Sequence, residues 1–157
     1  MARDIRKAYP KSRIVGMDQS TAHLEQALAL GLIDSKGDDK ALQTAEIVIL
    51  GIPVDAAVKA LPKILDSVND EAVVLDVGST KALICNSVRE HPKRRNFLAC
   101  HPIAGTEFSG PAAAIEKLYD GKTNIICEVE KTAFKLQEKA LELFGKLGMR
   151  IRYMNPE

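Results

Sequence analysis

A histidine that ends a short apolar run and is followed by two glycines is placed to move protons. The run is Asn96-Phe97-Leu98-Ala99-Cys100, which reads as a buried strand. The loop after it is His101-Pro102-Ile103-Ala104-Gly105-Thr106-Glu107-Phe108-Ser109-Gly110. His101 therefore stands where the chain leaves a sheet, and open α/β sheets bind ligands at such strand ends. An imidazole exchanges a proton near neutral pH. Pro102 lacks a backbone donor and is expected to stop the strand. Gly105 and Gly110 permit tight turns. Glu107 either orients the loop by accepting backbone hydrogen bonds or faces a substrate. A lone histidine is usually structural; the glycines and the glutamate set His101 apart. His23, on a helix with Glu25 and Gln26, and His91, before Pro92, read as surface residues.

Three other strand exits carry residues suited to a bound nucleotide. Asp76-Val77-Gly78-Ser79-Thr80-Lys81 closes one buried run and opens a helix. Gly78 lets the backbone pass close to a ligand, and Ser79 can turn its hydroxyl into the crevice. Alternatively Ser79 or Thr80 is a plain N-cap. Gly51-Ile52-Pro53 suits a turn beside a nucleotide, and equally a generic strand exit. Asp18 closes the first strand. A carboxylate there hydrogen-bonds the adenosine ribose hydroxyls of a dinucleotide and favours NAD over NADP. The other reading makes it a helix-capping aspartate with Gln19 and Ser20.

The elements that must position these residues alternate. Helix is expected over residues 2–9, ended by Pro10, and strand over 13–17. A helix from Ser20 or Thr21 to about Leu30 closes at Gly31, and 38–43 forms a helical turn. Strand 46–50 precedes a helix over 54–65, which Pro62 breaks or kinks. Strand 72–77 leads to a helix reaching about Arg89, strand 97–100 to a short helix over 112–118, and strand 124–127 to a long amphipathic helix over 132–147. Strand 149–153 comes last. Strands at 13–17, 46–50, 72–77, 97–100 and 124–127 are expected to run parallel. Such alternation means right-handed βαβ units and a doubly wound, mostly parallel α/β sheet.

At 157 residues the chain fits one domain. Hydrophobic residues are 46%, charged residues 27%, and the net charge is +1, so nothing favours nucleic acid or an anionic membrane. Lys93-Arg94-Arg95 reads as a solvated turn. No apolar run reaches the ~20 residues that span a bilayer, and the charged start shows no secretory signal. The three cysteines, Cys85, Cys100 and Cys127, lack metal spacing; as buried thiols they fit a reducing cytoplasm.

A dinucleotide fold also needs a first strand and a glycine-rich phosphate turn. Neither is present, and no GxGxxG occurs. The helix over 2–9 resembles the one that follows such a turn, so the domain is expected to be incomplete at its N-terminus by roughly a dozen residues. A gap or altered strand order is expected beside residues 13–17.

The motifs His101-Pro102-Ile103-Ala104-Gly105-Thr106-Glu107 with Gly110, and Asp76-Val77-Gly78-Ser79-Thr80-Lys81, resemble those of the prephenate dehydrogenase family. Asp18, Gly51-Ile52-Pro53 and Tyr119-Asp120-Gly121-Lys122 add to the likeness, which covers nearly the whole chain. The resemblance implies that residues 1–157 form a Rossmann-like nucleotide-binding domain. The family's C-terminal helical dimerisation domain, which carries the substrate-carboxylate arginine, is expected to be absent from this chain, and the full-length family member is expected to be a cytoplasmic homodimer. The resemblance implies NAD-dependent oxidative decarboxylation of prephenate to 4-hydroxyphenylpyruvate in tyrosine biosynthesis, with this chain alone expected to be a poor enzyme and a weak NAD binder. His101 and Ser79 would be catalytic and, with Glu107, substrate-binding. Asp18, Gly51, Pro53 and Gly78 would hold the cofactor, and no metal is implied. Arogenate dehydrogenase, with an amine on the substrate side chain, is the alternative within the class. A non-catalytic nucleotide-binding module is the alternative outside it. A third reading, a different dehydrogenase on the same fold, would use a lysine base in a helical domain and would not need the His101 loop.

Overall fold

The computed structural model describes residues 1–105 and 108–157. Among them, α-helices and strands follow in the order α1 (Ala2–Ala8), β1 (Val15–Gly16), α2 (Thr21–Ala29), β2 (Ser35–Lys36), α3 (Asp39–Thr44), β3 (Ile47–Leu50), α4 (Val54–Ser67), β4 (Val73–Asp76), α5 (Ala82–Ser87), β5 (Phe97–Pro102), β6 (Thr123–Cys127), α6 (Phe134–Lys146) and β7 (Arg150–Met154). β3 to β7 form one five-stranded sheet in chain order. β3, β4 and β5 run parallel, β5 and β6 antiparallel, and β6 and β7 parallel. β1 and β2 form a separate two-stranded parallel sheet. The break beside the first strand is where the sequence reading places it.

Both faces of the large sheet are covered, which is why its central strands are continuously apolar. On one face, Leu50, Val74, Phe97 and Ala99 meet Ala57, Leu61 and Leu65 of α4 and Ile84 of α5. The α4 residues recur every fourth position and are fully buried. On the other face, Val73, Leu75, Leu98 and Ile126 meet Leu136, Ala140, Leu143 and Phe144 of α6, with Met1, Ile5 and Tyr9 of the α1 region beside them.

The structure departs from the sequence reading at several points. β6 is antiparallel to β5, although 124–127 was expected to run parallel. A parallel return needs a crossover, usually a helix. The helix expected over 112–118 is a single 3-10 turn, Pro111–Ala113. Ala114 is extended and Lys117 has φ 57°, so no helix can propagate there. β5 runs two residues beyond the expected 97–100 and ends on Pro102. Ile103 N–H donates to the Thr123 carbonyl at 2.7 Å, so Pro102 and Asn124 form the intervening non-hydrogen-bonded pair. No donor is needed at that position. α4 runs through Pro62 to Ser67. Residues 35–36, to which the sequence reading assigns no element, form the short polar β2. His91 is not a surface residue: its side chain is 12% exposed and its Nε2 lies 3.2 Å from Asp66. Arg94 is not solvated either. It is buried, donates to the Phe97 carbonyl (2.9 Å) and to Glu128 (2.9 Å), and covers the Phe97 ring.

Candidate active site

β4 ends on Asp76, which is buried in the sheet. A carboxylate in that position needs a counter-charge, and Lys81, five residues on, supplies it with its own side chain buried. The other Asp76 oxygen accepts from Gly78 N–H at 2.9 Å. The segment from Val77 to Thr80 is thereby held as a loop. A β-carbon on Gly78 would lie 3.1 Å from Asp76 Oδ1 and 3.3 Å from Val54 Cγ2, so glycine fits and larger residues crowd the turn. The N-cap reading of Ser79 and Thr80 does not hold. α5 starts at Ala82, the capping position is Lys81, and no side chain caps it. Ser79 and Thr80 are exposed on the loop instead.

His101 lies in β5, half-buried, opposite Ile125 of β6. Ala99 pairs with Asp76 across the β4–β5 ladder. Alternation along β5 puts His101 on the same sheet face as Ala99, one step closer to the carboxyl edge. His101 and the Ser79 loop thus share the carboxyl edge of two adjacent parallel strands. Gly51 and Pro53 leave the third, β3, at the same edge. Pro53 occupies the capping position of α4, and its carbonyl accepts from Ala57 N–H at 2.9 Å. A β-carbon on Gly51 would touch only Val77 Cγ2 at 3.9 Å, so Gly51 lines an open turn. Thr106 and Glu107 lie outside the described residues, and with them the Glu107 expectation.

Asp18 follows β1 and is exposed. It is not the cap of α2. Ser20 is, its hydroxyl accepting from His23 N–H at 3.3 Å. One Asp18 oxygen accepts from Ser20 N–H at 2.7 Å, and the other lies 3.5 Å from His23 Nδ1. His23 in turn faces the signature loop: its Nε2 is 3.7 Å from where a β-carbon would stand on Gly110, whose φ is +80°. Asp18 is therefore brought to the loop that His101 begins. The exposed Asp18 carboxylate, the exposed Ser79 hydroxyl and the open turn at Gly51 are the groups that a ligand at this edge could reach. The described residues contain no cluster of metal-binding side chains. Two hollows of about 240 and 390 Å³ lie elsewhere, one beside Asn86, Arg89 and Glu128, the other beside Lys7, Lys117 and Lys146.

Sequence reasoning missed Lys81 and His23. An acidic residue closing a continuously apolar run signals a buried partner nearby, and Lys81 is the first cation after Asp76. His23 gave no comparable signal, because the loop's return to α2 is a tertiary fact. The three cysteines are free and buried. Burial pushes the Cys85 thiol up to about 12 and raises those of Cys100 and Cys127.

Comparison with known proteins agrees with this geometry. Residues 1–153 match the family model described as prephenate dehydrogenase, nucleotide-binding domain. The chain is 32% identical over 157 residues to prephenate dehydrogenase of Bacillus subtilis (strain 168), covering 98% of this chain and 42% of the relative. It superposes on Synechocystis arogenate dehydrogenase with a TM-score of 0.88 at 27% identity, covering 99% of this chain and 55% of that one. It also superposes on the Aquifex aeolicus prephenate dehydrogenase in complex with hydroxyphenyl propionate and NAD+, with a TM-score of 0.83 at 28% identity, covering 99% and 55%. The chain thus spans about half the length of the proteins it matches. It is an α/β domain, and it belongs to the prephenate dehydrogenase nucleotide-binding domain family.

Proposed function

We propose that this chain is the dinucleotide-binding half of an NAD-dependent dehydrogenase that converts prephenate to 4-hydroxyphenylpyruvate. The observation that carries the reading is His101, in β5 at the carboxyl edge, one strand from the Ser79 loop. Asp18 would hold the adenosine ribose, Gly51 and Pro53 would leave an open turn along the cofactor, and Gly78, with no room for a side chain, would hold the neighbouring turn beside it. NAD, when bound, supplies the hydride-accepting chemistry. Loss of hydride from the ring carbon bearing the hydroxyl builds carbonyl character there. The hydroxyl proton must leave, and His101 is the acceptor. Ser79 hydrogen-bonds beside it, and Glu107 shapes the substrate side. The carboxylate's carbon–carbon bond then breaks, carbon dioxide leaves, the bonding pair flows through the ring onto the carbonyl oxygen as the ring becomes aromatic, and that oxygen takes a proton back as the phenol. A helical second domain would complete the carboxylate side of the pocket and the homodimer, and the buried free thiols suit a reducing cytoplasm. The superposition on arogenate dehydrogenase favours one alternative, the same chemistry on an aminated side chain.

His101→Asn in the full-length protein tests the assignment. A general base typically contributes ~100- to 10,000-fold, so turnover should fall by that order while NAD affinity stays nearly unchanged. Loss of NAD binding instead would make His101 structural.

A further inference from the structure

The ladders across β5, β6 and β7 set three side chains in one row. His101 is level with Ile125 of β6, and Ile125 is level with Arg152 of β7. Residues directly opposite one another in a ladder project from the same face. That face is the one on which Phe97 and Ala99 meet α4 and α5. The helical cover runs out along this row: His101 and Ile125 are half-buried, and Arg152 is exposed. Neighbouring strands lie about 5 Å apart, so the Cα atoms of His101 and Arg152 stand ~10 Å apart with Ile125 midway.

Arg152 has no counter-charge. Among the described residues its side chain makes no hydrogen bond or ion pair. Its neighbours on β6, Thr123, Ile125 and Cys127, carry no charge. Arg150, two residues away on the same face, is also exposed and unpaired, so the two guanidiniums repel each other. An anion between or beside them relieves that repulsion, and the planar guanidinium fork matches a carboxylate. Charge on an edge strand also discourages pairing with another chain, but that role needs no register with His101.

We propose that Arg152 is a substrate-binding residue that makes the site prefer a ring acid whose side chain carries a keto group over one whose side chain carries an ammonium. The inference rests on His101 being the base of the proposed reaction. A six-membered ring lying on Ile125 sets an apolar face on an apolar side chain. Its hydroxyl reaches His101, and the para carbon, which bears a carboxylate and the side chain, lies toward Arg152. Hydroxyl oxygen and carboxylate carbon are ~6 Å apart across such a ring by bond lengths of ~1.5 Å, a span that fits between the imidazole and the guanidinium. The guanidinium attracts the carboxylate and repels an ammonium on the same side chain. Arg152 therefore favours prephenate over arogenate.

Steady-state kinetics of the full-length protein on the two substrates test it. Arg152→Gln should lower kcat/KM for prephenate by ~10- to 100-fold, the scale of a hydrogen bond to a charged group. It should lower kcat/KM for arogenate by less, so that the preference for prephenate narrows by ~3- to 10-fold. Arg152→Glu should narrow it further or invert it, while Arg152→Lys, which keeps the charge but not the fork, should restore part of the loss. The KM for NAD should not move in any of the three. Arg152 is exposed and unpaired, so these variants keep the fold. Equal losses on both substrates would overturn the proposal. A larger effect from Arg150→Gln than from Arg152→Gln would put the anion in the next row and would also overturn it. His101→Asn separates the two claims. If it fells turnover on both substrates while Arg152→Gln changes nothing, the inference alone is wrong and Arg152 only guards the edge. Full turnover in His101→Asn would sink the reading of the site, and the inference with it.

Discussion

The Asp76–Lys81 pair decides the shape of the candidate site one residue at a time. Both side chains are almost fully buried, 2% and 5% exposed. Removing one partner of such a pair leaves an uncompensated buried charge. Lys81→Met should therefore cost ~3–5 kcal/mol in denaturant unfolding. The double change Asp76→Asn with Lys81→Met should recover a large part of that loss, which a double-mutant cycle measures. A loss of less than ~1 kcal/mol for Lys81→Met would mean the pair does not hold the loop. The placement of the candidate residues was legible at this scale: His101 and Ser79 follow apolar runs, and both are found at the carboxyl ends of strands. The pairing of Lys81 was not, since a helix start three residues later than the Ser-Thr signal depends on what the lysine reaches. Arg94 and His91 were misread for the same reason. Their partners, Glu128 and Asp66, are distant in sequence.

Glu128 works between elements. It closes β6, and it pairs with Arg94, which precedes β5, at 2.9 Å, and with Lys131 at 2.6 Å. Burial acts to raise its carboxyl, but the hydrogen bonds from Lys131 and Arg94 outweigh burial and hold it below its usual 4.5. A carboxyl depressed in the folded state adds stability that is fully present above pH 4.5 and lost as pH falls through the folded value. Glu128→Gln should accordingly remove part of the acid-side decline seen in melting temperature between neutral pH and pH 3. An unchanged pH profile would contradict the pairing. Glycines give a second element-scale test. Gly148 has φ +75°, and a β-carbon there would run into Asp120. Gly145, inside α6, has no atom within 4 Å of that position. Gly148→Ala should destabilise by at least ~1 kcal/mol, while Gly145→Ala should stabilise by ~0.4–1 kcal/mol. Thermal melts of the two variants should move in opposite directions. Helix and strand placement was largely legible because the apolar period switches cleanly along the chain. The antiparallel β6 was not, because it depends on Lys117 and Ala114 denying the connection a helix.

At the scale of the molecule, the parallel strands β3, β4 and β5 send their carboxyl ends to one edge, and the His23–Gly110 approach brings Asp18 to it. The expectation of a doubly wound sheet with a break beside residues 13–17 was readable, since the chain alternates strand and helix but opens on a helix. The alignment of Arg152 with His101 was not, because it passes through the antiparallel β6. The central claim is that a dinucleotide lies along the carboxyl edge. Titration of NAD into the isotope-labelled chain, followed by amide NMR shifts, tests it most directly and needs no turnover. The account predicts shifts confined to residues 17–23, 51–54, 77–81 and 101–110, with none at Glu46, Ala72 or Asn96 on the opposite edge. Shifts gathered at Glu46, Ala72 and Asn96 instead would contradict it.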